Sequence, residues 1–104
     1  MQEESLIQKR SFAFALEIIK LYMQLRNQKE FTLSKQLLNS GASIGANVEE
    51  AGAAPSKKDF ISKMSIASKE ATEVRCWLRL YKESRLVDIN VDTYLDEAEH
   101  LKIS

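Results

Sequence analysis

From Phe60 to Tyr81 the chain repeats an apolar residue at alternating intervals of four and three: Phe60, Met64, Ala67, Ala71, Val74, Leu78 and Tyr81. At about 100° per residue all seven fall on one helical stripe, in the spacing by which helices seam together in bundles. No glycine or proline interrupts the chain from Ser56 to Ser84, so one helix of over about 40 Å is expected. A seam that long needs partners along its whole length. The chain has one proline and three glycines, and the alternating pattern that marks strands is missing. The fold class this implies is all-α, and a single domain spanning 1–104 fits a chain of this length.

Three more helices complete the reading. Helix 1 is expected from Ser5 to Asn27, followed by a short connection through Glu30 and a possible cap at Thr32. Helix 2 then runs to about Ala53, where Ala54-Pro55 breaks the chain, and Ser56 with Asp59 has the spacing of a capping box for helix 3. Helix 3 continues to Ser84. Asn90 can cap helix 4, whose face is Val91, Tyr94, Leu95, Ala98 and Leu101 over about 20 Å. Short connections predict antiparallel, up-down-up-down neighbours.

Helix 1 carries more apolar surface than one core uses. Phe12, Leu16, Ile19 and Met23 make one stripe; Ile7, Phe14, Ile18, Leu21 and Leu25 make another, about 165° away. An outer helix of a monomeric bundle needs an apolar arc of only a little over 100°. The surplus predicts a homo-oligomer. The interface is assigned to Phe14, Ile18, Leu21 and Leu25, together with a second apolar patch on helix 3, Ile66, Trp77 and Leu80.

Helix 2 divides into three stripes: polar Gln36, Ser43, Asn47 and Glu50; apolar Leu33, Leu37, Ile44 and Val48; and Gly41, Gly45 and Gly52. Glycine inside a helix costs about 1 kcal/mol against alanine, so three on one face mark a close neighbour. For the polar stripe, with Glu70 and Glu73 of helix 3 opposite, a buried hydrogen-bond network that sets register outweighs a catalytic reading. Two carboxylates without a nucleophile or oxyanion hole do not define a reaction. No enzyme activity, cofactor or metal is expected. His100 stands without partner ligands and reads as a surface residue. Cys76, the only cysteine, forms no internal disulfide and reads as inert.

Charge excludes little. Formal net charge is zero, yet Ser56–Arg85 holds eight Lys or Arg against four acids, and Leu86–Ser104 holds only Lys102 against five. Lys57 and Lys58 occupy a helix start, where the dipole disfavours cations. With Arg75, Arg79 and Lys82 they are candidate contacts for RNA or DNA, which oligomerisation would gather into a belt. No aromatic side chain interleaves with them for base stacking. The alternative is a purely protein-binding surface. Met1 to Ser5 lacks a signal-peptide start, and no apolar run is long enough to span a bilayer; a cytoplasmic protein without membrane contact is expected.

Ser43-Ile44-Gly45-Ala46-Asn47-Val48-Glu49-Glu50-Ala51, then Ser56-Lys57-Lys58-Asp59-Phe60, Ala67-Ser68-Lys69-Glu70-Ala71-Thr72-Glu73 and Trp77-Leu78, resembles the bacterial four-helix-bundle proteins associated with intervening sequences in 23S ribosomal RNA genes. The resemblance covers nearly the whole chain. It implies an antiparallel four-helix bundle assembled as a ring-like homopentamer. A related branch serves as a nucleic-acid-binding accessory to a reverse transcriptase in diversity-generating elements. That branch is strongly basic, whereas this chain is neutral.

Overall fold

The computed structural model describes residues 5–101 and 103. Met1 to Glu4, Lys102 and Ser104, which bear on the targeting and charge-layout expectations, lie outside the described residues. Four helices follow in order: α1 Leu6–Asn27, α2 Leu33–Gly52, α3 Lys57–Ser84 and α4 Asp92–His100. No strand occurs among the described residues.

Each helix end has a chemical cause. Ser5 and Gln8 form a reciprocal capping box at α1: Gln8 N–H donates to Ser5 Oγ at 3.2 Å, and Ser5 N–H donates to Gln8 Oε1 at 2.8 Å. Beyond Asn27 the chain turns through Lys29 at φ 64°. The N–H groups of Lys29 and Glu30 reach back to the carbonyls of Arg26 and Leu25 at 2.8 and 3.0 Å, a Schellman closure built on lysine rather than glycine. Ser56 accepts from the Asp59 N–H at 3.1 Å and donates its hydroxyl to Asp59 Oδ2 at 2.9 Å. Asn90 Oδ1 accepts from the Asp92 N–H at 2.9 Å. α4 then has only 9 residues, about 14 Å, and is shorter than the sequence pattern predicts.

The helices stand at the corners of a square in chain order, and α4 closes onto α1. Direct contacts fix the directions. Between α1 and α2, Gly41 meets Ile18, Gly45 meets Ala15 and Gly52 meets Gln8; one series rises as the other falls. Between α2 and α3, Ser40 bonds Glu73 and Glu50 pairs with Lys63. Consecutive helices are antiparallel. The Gln28 side-chain amide ties the last connection down: it donates to the Asp88 carbonyl at 3.1 Å and accepts from the Asp88 N–H at 2.8 Å.

The core lies on the inner stripes. Phe14, Ile18, Leu21 and Leu25 of α1 pack with Leu37, Ile44 and Val48 of α2, and with Ala67, Ala71, Val74, Leu78 and Tyr81 of α3. This corrects the interface assignment for α1. All four of its residues are 3% exposed or less within a single chain, because they face the centre of the square and nothing remains for a second subunit. The opposite stripe is the exposed one: Phe12 57%, Leu16 45%, Ile19 43% and Met23 55%.

α3 also departs from its expected seam. Ala67 through Tyr81 are buried, but Phe60 is 46% exposed and Met64 only half-buried. The residues run on in register; the covering helix does not. α4 sits beside the C-terminal half of α3, where Lys82 meets Asp92, and ends before reaching Phe60.

Of the three glycines, Gly41 alone needs its missing side chain on account of a rigid neighbour. A Cβ there would meet Ile18 Cγ2 at 2.7 Å and Cβ at 3.0 Å. Ile18 is β-branched and stiff in a helix, so only a wider α1–α2 spacing would make room. At Gly45 a Cβ would find Ala15 at 3.6 Å, an ordinary contact, and at Gly52 it would meet only the flexible amide end of Gln8. Gly41→Ala should therefore lower stability by overpacking of about 1–3 kcal/mol, less the roughly 1 kcal/mol gained in helix propensity. Gly45→Ala should raise stability by up to about 1 kcal/mol. Urea melts followed by circular dichroism separate the two; equal effects would show that the Gly41 contact imposes no constraint.

Candidate functional site

Glu30 is a buried carboxylate at the junction of three helices, and no cap rule applied to the sequence singles it out. The Schellman turn at the end of α1 aims it back at the start of α2. There it accepts from the N–H groups of Thr32, Leu33 and Ser34 at 3.0, 2.9 and 2.7 Å. Thr32, the expected cap, makes no side-chain capping bond; the carboxylate fills that role and satisfies three orphan donors at the positive end of the helix. The buried Tyr81 hydroxyl on α3 donates to Glu30 Oε2 at 2.5 Å, and Ser34 Oγ donates to the Glu30 carbonyl at 2.8 Å. Burial opposes the charge on Glu30, but the Tyr81 hydroxyl and the three amides outweigh it and hold the carboxyl below its ordinary value. Burial, and then the carboxylate itself, push the Tyr81 phenol far up. The signal that could have found this cluster was Tyr81 in a core stripe, since a buried phenol requires a partner.

The expected polar network divides into three separate contacts. Asn47 Nδ2 donates to the Ser43 carbonyl at 2.8 Å and to Ser43 Oγ at 3.0 Å, within α2. Glu50 pairs with Lys63 at 2.8 Å in an exposed bridge. Only Glu73 is bonded across to α2, and its donor is Ser40 Oγ at 3.2 Å. Ser40 lies within the same stripe, between Gln36 and Ser43, and is the member that reaches across. Glu70 sits beside Glu73, half-buried; burial and then the neighbouring carboxylate raise its pKa, with Ser40 partly offsetting them. Around this carboxylate pair lie Ile66 and Leu80, exposed, and Trp77, half-buried.

The five candidate cations do not form one patch on a single chain. Lys57 and Lys58 are exposed at the open end of the bundle, roughly 25–33 Å along α3 from Arg75 and Arg79 by helical rise. Lys82 is tied to Asp92 at 2.9 Å, and that bond and charge raise its pKa. Arg75 donates to Thr72 Oγ1 at 3.2 Å. Arg75, Arg79 and Lys82 line a groove of about 680 Å³ between α3 and α4, with Leu80 and Leu95 as its apolar wall and Glu83 and Glu99 on its rim. Acidic residues of α4 thus share the surface with the cations of α3. Cys76 is exposed in the same groove. His100 is exposed, and its Nδ1 lies 2.7 Å from the Asp96 carbonyl. No group of three His, Cys, Asp or Glu side chains suited to a metal ion occurs among the described residues, and no described helix is long and apolar enough to cross a membrane.

Comparison with known proteins adds two similarities. The family model described as 23S rRNA-intervening sequence protein matches residues 3–103. A crystal structure of a protein of unknown function from the S23 ribosomal protein family of Bacteroides thetaiotaomicron is 41% identical, with a TM-score of 0.84 over 92% of this chain and 91% of that one. No curated protein matches.

The Glu30 cluster sets the acid limit of the fold. Its folded pKa lies below the ordinary 4.5, so its stabilisation is fully present above that value and is lost as pH falls through the folded pKa. Glu30→Ala should cost about 1–3 kcal/mol at neutral pH by stranding the α2 amides and the Tyr81 hydroxyl. Glu30→Gln should remove part of the downward slope of stability below about pH 4.5. Urea midpoints measured from pH 3 to 7 test both, and parallel curves for wild type and Glu30→Gln would contradict the assignment.

Proposed function

The chain belongs to the 23S rRNA-intervening sequence protein family, and from that membership we propose that it works as a non-enzymatic, self-assembling scaffold in the cytoplasm. The observation that carries this reading is the outer stripe of α1, where Phe12, Leu16, Ile19 and Met23 are each about half exposed. Contiguous apolar patches of that kind mark interaction surfaces. A homopentameric ring is the assembly the family resemblance implies.

The non-enzymatic part is supported by how the carboxylates are engaged. Glu30 caps α2, Glu50 pairs with Lys63 and Glu73 receives Ser40. Each holds helices together in a way that needs no reacting partner.

Nucleic-acid association is the second reading, favoured by Lys57 and Lys58. They are exposed in the first turn of α3 and make no ion pair among the described residues, and the family's name refers to 23S rRNA. A ring would multiply them into a multivalent cationic rim. Against this stand the neutral net charge and the Lys82–Asp92 bridge.

Light scattering behind size exclusion should give a mass several times 11.9 kDa, and Leu16→Asp with Ile19→Asp should bring it down toward one chain. A wild-type monomer at micromolar concentration would remove the scaffold reading. Fluorescence anisotropy with a structured RNA and a DNA duplex across a salt series decides the second. Binding that falls steeply with salt and is lost in Lys57→Glu, Lys58→Glu supports nucleic-acid association, and identical curves for both proteins exclude it.

A further inference from the structure

We infer that the outer stripe of α1 docks into the α2–α3 face of the next copy, and that Lys20 of one chain neutralises the Glu70–Glu73 carboxylate pair of its neighbour. The inference rests on the self-assembling reading and adds which surfaces meet.

Two of the exposed apolar surfaces among the described residues, the α1 stripe and the α2–α3 face, differ in charge. Lys9 and Lys20, both exposed, border the α1 stripe on the side away from α2. The α2–α3 face presents Ile66, Trp77 and Leu80 around Glu70 and Glu73. The two carboxylates stand side by side, burial and then Glu73 make Glu70 harder to charge, and no cation pairs with either among the described residues. A like-charged pair set in apolar surroundings lacks a counter-ion. Lys20 is held only by an exposed bridge to Glu17 at 3.1 Å, of a kind worth little and readily exchanged.

Height along the bundle matches as well. Neighbouring residues of α2, Gly41 and Ser40, contact Ile18 on α1 and Glu73 on α3 respectively. Lys20 therefore lies within about 3 Å of the level of Glu73, by a rise of 1.5 Å per residue. Surfaces at one level are related by rotation with little translation, which closes a ring instead of winding a filament. In a square bundle the α1 stripe and the α2–α3 face point out of adjacent sides, roughly a right angle apart, which suits a small closed ring. On that docking, the lysine border of α1 falls on the α3 side of the neighbouring face, where the carboxylates are.

Charge exchange tests the contact. Lys20→Glu alone and Glu73→Lys alone should each raise the concentration needed for assembly about tenfold or more, by placing like charges together. Lys20→Glu combined with Glu73→Lys should restore assembly. Because Glu73 also bonds Ser40, Glu70→Lys serves as a second acidic-side variant, with melting curves confirming that each protein is folded. Sedimentation velocity across a dilution series reads the outcome. Wild-type oligomers unaffected by any of these variants would overturn this interface while leaving the scaffold reading standing. A dimer in which Leu16→Asp abolishes assembly and the charge variants do nothing would indicate stripe-on-stripe pairing of two α1 helices and would equally overturn it. A wild-type monomer would remove both readings.

Discussion

Two adjacent residues of α2 set the geometry of the whole chain. Gly41 lets α1 approach until Ile18 fills the space of a side chain, and Ser40, one step round the helix, reaches α3 through Glu73. The first contact is steric and the second polar, and together they lock three helices in one register. The core forms around that register, with Phe14, Ile18, Leu21 and Leu25 of α1 packed in one cluster with Ala67, Ala71, Val74 and Leu78 of α3. A slip of one turn between α1 and α2 would take Gly41 off Ile18, and one between α2 and α3 would break the Ser40–Glu73 bond.

The Glu30 cluster completes the lock at the far end. A Schellman turn, a helix start and a tyrosine from the third helix converge on one carboxylate. Its bonds run to amides with no other partner available in the helix, and to a phenol that is itself buried. Removing the acid would therefore affect three elements together, whereas the exposed bridges Lys63–Glu50 and Lys82–Asp92 each join only two and are screened by water.

Much of this was legible in the sequence. Helix number and order, and the bounds of α1 to α3, follow from periods near 3.6 and from the Pro55 break, since both depend on local spacing alone; α4 ends earlier than its apolar spacing implies. The close approach at Gly41 was legible for the same reason. Which stripe of α1 faces inward was not: Phe14, Ile18, Leu21 and Leu25 and the opposing Phe12, Leu16, Ile19 and Met23 are equally apolar, and only the positions of α2 and α4 choose between them. Glu30 escaped because capping rules look for a short side chain at the cap itself, while here a longer one reaches in from two residues earlier after a left-handed turn. The polar stripe of α2 was found, but its partners depend on side-chain reach: Asn47 is satisfied by its own helix and Ser40 takes the cross-helix role.

The short fourth helix connects the fold to its surface chemistry. α4 brings acidic residues against the cationic flank of α3: Asp92 pairs with the exposed Lys82, and Glu99 lines the same groove as the exposed Arg79. The neutral net charge thus has a local counterpart on this flank, where acids of α4 lie beside cations of α3. α4 stops before the N-terminal turns of α3, and there the local balance ends: Phe60 and Ile61 lie exposed beside Lys57 and Lys58. An apolar and cationic end, opposite a capped and ion-paired one, gives each copy a polarity along its axis. In a cyclic arrangement every copy would point the same way, so that polarity would add instead of cancelling, and one rim of the assembly would carry Lys57, Lys58, Phe60 and Ile61 of every copy.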